Sequence, residues 1–294
     1  MVVTYSCLLT AVILSLFIKN ITVLFCITVL ASIAAIYANI VTITGIMMII
    51  SFSTITWLYF YNRDRIKLVR FGLFLMMTTY SILFMQHLLP GFSNFLVLNK
   101  VQLSLLSCPF SMYLNFDKTV MALILYICSP LLINEKSLNL ISLQQSLKSF
   151  VICISIVIPL ALLSKYLVWD FKVSEYLVLW AVNNLFFVCF AEEVFFRGII
   201  QNHLIALSSR YCSRLPKIIP IIIASLLFGV AHIKGGLFYV IFATICGLFY
   251  GYTYYITKRL TAAMIVHFTL NLSHFIFFSY PAHSSMCFNM ATII

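Results

Sequence analysis

The chain has 294 residues, 63% of them hydrophobic and only 9% charged, with a net charge of +11 and a mean hydropathy of +1.10. Soluble domains carry about a quarter charged residues, so a soluble globular reading is excluded, as are disorder, coiled coil and collagen. Charge-free runs of 43 residues (Lys19 to Arg63), 29 (Arg70 to Lys100), 23 (Lys234 to Lys258) and 35 (after Arg259) are each long enough for at least one membrane helix of about 20 residues. The runs are continuous and rich in Leu, Ile and Phe. They read as helices rather than as the short alternating segments of a transmembrane β-barrel.

Taken in chain order, apolar spans are predicted over 2–18, 21–37, 40–61, 71–90, 119–133, 149–168, 176–206, 218–233, 235–257 and 260–280. The fold class is all-α, a polytopic transmembrane helical bundle of about 8–10 spans. Residues 2–18 read as a retained first span, since no basic segment or A-x-A-like site marks a signal peptide. The stretches 101–118 and 135–148 are more polar and are expected at the membrane interface. Pro130 and Pro159 fall inside apolar runs and are expected to kink them. Two regions follow: 1–170, N-terminal transmembrane helices of unassigned role, and 171–294, which holds the chemistry.

The excess of Lys and Arg reads as basic cytoplasmic loops, with clusters at Arg63, Arg65, Lys67 and Arg70, at Arg210, Arg214 and Lys217, and at Lys258–Arg259. On this span count all three lie on one side and the N-terminus on the other. None has the interleaved aromatics of a nucleic-acid groove, so nucleic acid is not an expected partner. The nine cysteines form no C-x-x-C pair and read as small hydrophobes.

Seven acidic residues occur. Asp64, Asp117, Glu135, Asp170 and Glu175 flank spans and read as solvated. Glu192 and Glu193 are adjacent within a long apolar helix, where carboxylates are expensive and mark function. On α-helical spacing Glu193 faces Arg197 at i+4. Glu192 points about 100° away, towards Phe196. It reads as an unpaired carboxyl suited to acid–base work. His87, His203, His274 and His283 read as polar tips at the interface. His232 follows Phe228 by four residues, and His267 precedes Asn271 by four, so each pair shares a helix face. Gly229, Ala231, Gly247, Gly251, Ala262 and Ala263 would let these helices and the one between them approach closely. Glu192 can take a proton from water that His232 holds, and His267 and Asn271 can donate to an oxyanion. Neither G-x-S-x-G nor H-E-x-x-H is present. His232 is expected near the outer end of its helix and Glu192 at the centre of its own, which points to a tilted helix or a shifted boundary.

Glu192-Glu193-x-x-x-Arg197, Phe228-x-x-x-His232 and His267-x-x-x-Asn271 resemble the three motifs of the CAAX protease and bacteriocin-processing (CPBP, or Abi) intramembrane endopeptidases. Arg197 stands 35 positions before His232, and His232 stands 35 before His267. The resemblance covers about 177–280 and makes 171–294 a protease core. It implies cleavage of a peptide bond in a membrane-associated peptide or protein, with Glu192, His232, His267 and Asn271 catalytic and Glu193, Arg197 and Phe228 supporting. The cofactor stays open: Glu192, His232 and His267 can ligate Zn2+, and the same residues can work without metal. The implied setting is a lipid bilayer, with a prokaryotic inner membrane as the expectation. Two other readings stand beside it, a proton-coupled membrane transporter and a non-catalytic immunity or scaffold member of the same family.

Overall fold

The computed structural model describes residues 1–61, 66–211 and 216–287. Arg63, Asp64, Arg65, Cys212 and Arg214 lie outside the described residues. The fold is the expected all-α bundle. Among the described residues six helices are long and apolar enough to cross a membrane, and three shorter apolar helices accompany them. Large apolar side chains cover the outer surface, including Phe25, Ile43, Leu68, Ile141 and Val178. That surface suits lipid and would aggregate in water. The chain is an integral membrane protein.

The packing divides the chain into two units. The first comprises Met1–Leu96, Tyr113–Glu135 and Phe186–Phe195. It contains α1 (Val2–Phe17), α2 (Ile21–Tyr37), α3 (Ile43–Tyr61), α4 (Lys67–Met85), α5 (Phe116–Cys128), α6 (Pro130–Ile133) and α9 (Phe190–Glu193). The centre of this unit is α5, which packs against α1, α2, α3, α4 and α9. Every residue from Phe116 to Tyr126 is buried, as expected of a helix surrounded by others. Tyr126 OH donates to Ser15 O at 2.7 Å, and Tyr5 OH donates to Leu114 O at 2.8 Å. Pro130 opens α6 at its first position, where a missing N–H costs nothing. It therefore ends one helix and begins another instead of kinking a single one.

The second unit comprises Val97–Met112, Lys136–Leu185 and Phe196–Ile294. Its long helices are α7 (Leu140–Leu163), α11 (Ile218–Val230), α12 (Gly236–Thr257) and α13 (Leu260–Phe277), with α12 packed against the other three. A Cβ on Gly229 would stand 2.8 Å from Val240 O, and one on Gly247 would stand 3.2 Å from Ser225 Cβ. Only glycine permits α11 and α12 to approach this closely. The start of α7 lies at Leu140 rather than 149. Asn139 and Ser142 cap it reciprocally, Ser142 N donating to Asn139 Oδ1 at 2.9 Å and Asn139 N to Ser142 Oγ at 3.0 Å. Pro159 lies inside the helix.

One helical course runs from α8 (Leu177–Asn183) through α9 to α10 (Asn202–Tyr211). It is interrupted by π-helical turns at Asn184–Cys189 and Val194–Gln201. Hydrogen bonds there run from i to i+5.

The stretch 101–118 includes strand. Strands β1 (Phe95–Val101) and β2 (Phe110–Leu114) form a two-stranded sheet. Leu98 and Met112 from this hairpin pack with Trp180 and Phe275 in one apolar cluster.

The same end of the second unit is closed by a knit of three segments. Cys108 forms a disulfide with Cys287, so these two cysteines are not the packing hydrophobes expected of them. Cys108 N donates to Ala282 O at 3.0 Å, Ser284 N to Leu106 O at 2.9 Å and His283 N to Tyr166 O at 2.9 Å. Asp170 accepts from Ser104 Oγ, from Ser107 Oγ at 3.3 Å and from Lys172 Nζ at 3.1 Å. This carboxyl is a structural acceptor rather than the solvated group expected from sequence.

Candidate active site

The motif residues enter from three stretches of helix. Arg197, in the second π-helical turn, is 1% exposed. Its Nη2 donates to Gly247 O at 3.1 Å, and its guanidinium lies over the Phe228 ring at 4.6 Å and the Tyr250 ring at 5.4 Å. A carbonyl and three rings, the third that of Phe196 at 5.9 Å, thus surround this cation inside an apolar bundle.

Phe228 is the meeting point. Its ring centroid lies 4.6 Å from that of His232, 5.7 Å from His267 and 5.1 Å from Phe196. His267 is buried and stacks on Tyr250 at 4.5 Å with a 16° interplanar angle. Arg197, His232 and His267, drawn from all three motifs, therefore surround the Phe228 ring.

Helix α11 ends at Val230, within three residues of the predicted boundary, and His232 lies in the turn beyond it. His232 Nδ1 stands 2.7 Å from Phe228 O. A carbonyl only accepts, so Nδ1 carries the proton and Nε2 of the neutral ring is an acceptor. The i+4 spacing of this motif is thus a backbone bond at a helix end. Asn271, one turn beyond His267 on α13, donates from Nδ2 to Asn184 Oδ1 at 3.2 Å. That bond orients its amide.

Glu192 and Glu193 belong to the first unit, on α9. Both are buried. The reading of Glu192 as unpaired is overturned, because Lys118 Nζ donates to Glu192 Oε1 at 2.6 Å, with the two side chains 9% and 7% exposed. Sequence reasoning missed Lys118, whose signal was a lysine followed at once by the apolar run from Val120 to Ile133. Asp117, expected to be solvated, is 1% exposed. It accepts from His87 Nδ1 at 2.8 Å and from Asn94 Nδ2 at 2.9 Å.

Among the described residues no group of three or more His, Cys, Asp or Glu side chains is placed to hold a metal ion. Glu192 already carries an ammonium as counter-ion.

Residues 174–273 match the family model described as type II CAAX prenyl endopeptidase Rce1-like. The matched segment contains Glu192, Glu193, Arg197, Phe228, His232, His267 and Asn271, and the match agrees with the resemblance that the three motifs carry. It supports a CAAX-type intramembrane protease in general. No curated protein and no solved structure matches the chain.

Proposed function

We propose that the chain is a CAAX-type intramembrane endopeptidase in which Glu192 and His232 activate water against a peptide bond of a membrane-associated substrate. Glu192 takes a proton from the water, whose oxygen bonds to the carbonyl carbon. His232 Nε2, the acceptor nitrogen of its tautomer, holds the water for that attack. His267 and the Asn271 amide donate to the oxyanion. The proton on Glu192 passes to the amide nitrogen as the carbon–nitrogen bond breaks, releasing acid and amine. Arg197 and Glu193 act as supports, Arg197 by holding Phe228 and α12 in place. In this reading 171–294 is the protease core, and the N-terminal helices supply the counter-ion of its carboxylate.

The convergence of Arg197, His232 and His267 on Phe228 is the observation that carries the reading. Structural histidines scattered along helices have no reason to meet at one ring with the arginine of another motif. The test is Glu192→Ala in cells, with the C-termini of membrane proteins compared by proteomics against wild type. The variant is expected to accumulate inserted and folded while a set of cleaved C-termini disappears. An unchanged set of C-termini would overturn the protease assignment.

A further inference from the structure

Lys118 lies outside all three motifs and outside the segment matched by the family model. A buried ion pair is a weak source of stability, because desolvating both charges offsets their attraction. Well-packed apolar residues of similar size do as well or better. The Lys118–Glu192 pair therefore calls for a reason other than stability.

The surroundings of Lys118 are built to fix it. Phe116 N donates to Asn94 Oδ1 at 2.9 Å, and Lys118 N donates to Asp117 Oδ1 at 2.7 Å. Asp117 is itself held by Asn94 and His87, and Thr119 Oγ1 donates to Asn115 O at 2.8 Å. The first turn of α5 is thus pinned by side chains from the segment before it, and α5 packs against α9. A lysine whose backbone is fixed delivers its ammonium to one place. Holding Oε1 at 2.6 Å sets the rotation of the Glu192 carboxylate, and with it the direction in which Oε2 points.

We propose that Lys118 is a positioning residue for Glu192, its ammonium supplying the counter-charge and the orientation with which the carboxylate meets water. This rests on the assignment of Glu192 as the base. The test uses full-length protein in proteoliposomes and a prenylated peptide ending in C-a-a-X as the probe. It compares Glu192→Gln, Lys118→Met, Lys118→Gln and Lys118→Arg.

Glu192→Gln is expected to be inactive. Lys118→Met is expected to lower kcat by about 100-fold with KM within about threefold, the scale of a misplaced catalytic group. Lys118→Gln keeps a donor without the charge and is expected to lose at least about tenfold in kcat, with Lys118→Arg recovering part of the loss. A folded Lys118→Met or Lys118→Gln protein with wild-type kcat, beside an inactive Glu192→Gln, would overturn the inference. Failure of both neutral variants to fold would assign the pair to structure and overturn it equally. Wild-type turnover in Glu192→Gln would instead strike the assignment of the base.

Discussion

Phe228→Leu is the substitution that separates a shared wall from mere filling. Leucine keeps most of the buried apolar volume, so the cavity cost of about 3–5 kcal/mol expected for a change to alanine is largely avoided. What is lost is specific to the ring. The face under the Arg197 guanidinium at 4.6 Å is worth about 2 kcal/mol in a desolvated setting. Edge contacts with Phe196 at 5.1 Å and Tyr250 at 6.0 Å add about 0.5–1.5 kcal/mol each. These contributions are not fully additive, and a loss of about 2–4 kcal/mol is expected. Both histidines lose a common wall, and a shift of about 1 Å in such groups costs about 100-fold in rate. Thermal unfolding in detergent micelles reads the first effect, and turnover of a prenylated C-a-a-X peptide reads the second. A variant with wild-type unfolding temperature and turnover within about twofold of wild type would refute the role given to this ring.

Cys108→Ser is expected to cost about 2–4 kcal/mol, read as a lower unfolding temperature. Reductant should lower that of the wild type by a similar amount and leave the variant unmoved, and a wild type indifferent to reductant would contradict the closed cap. The cap should also respond to acid. Burial pushes the Asp170 carboxyl up, but hydrogen bonds from Ser104, Lys172 and Ser107 and the Lys172 charge outweigh it and hold it below its ordinary value of 3.8. A carboxyl held low in the folded state contributes stability that is fully present above pH 3.8 and lost as pH falls through the folded value. The unfolding temperature of the wild type should fall as the pH drops below 3.8 more steeply than that of Asp170→Asn, and parallel curves would count against the pairing.

The helices were legible in the sequence because a bilayer imposes length and hydropathy on every span. The run from Ile218 to His232, for example, admits few boundaries. The hairpin at 95–114 was not legible, since its two short strands lack a sustained period and are held by Trp180 and Phe275 from distant helices. The proximity of His232 to Phe228 was legible because four residues close one turn at the end of α11. Lys118 escaped for another reason: no local pattern ties a lysine to a carboxylate 74 positions later. The disulfide is similar, its partners 179 positions apart.

That covalent link constrains biogenesis as well as shape. Positions 108 and 287 must share one face of the bilayer, so the number of crossings between them is even. The bond also waits on translation: residue 287 emerges after α13, so the hairpin made earlier in synthesis is latched only once α13 has been threaded.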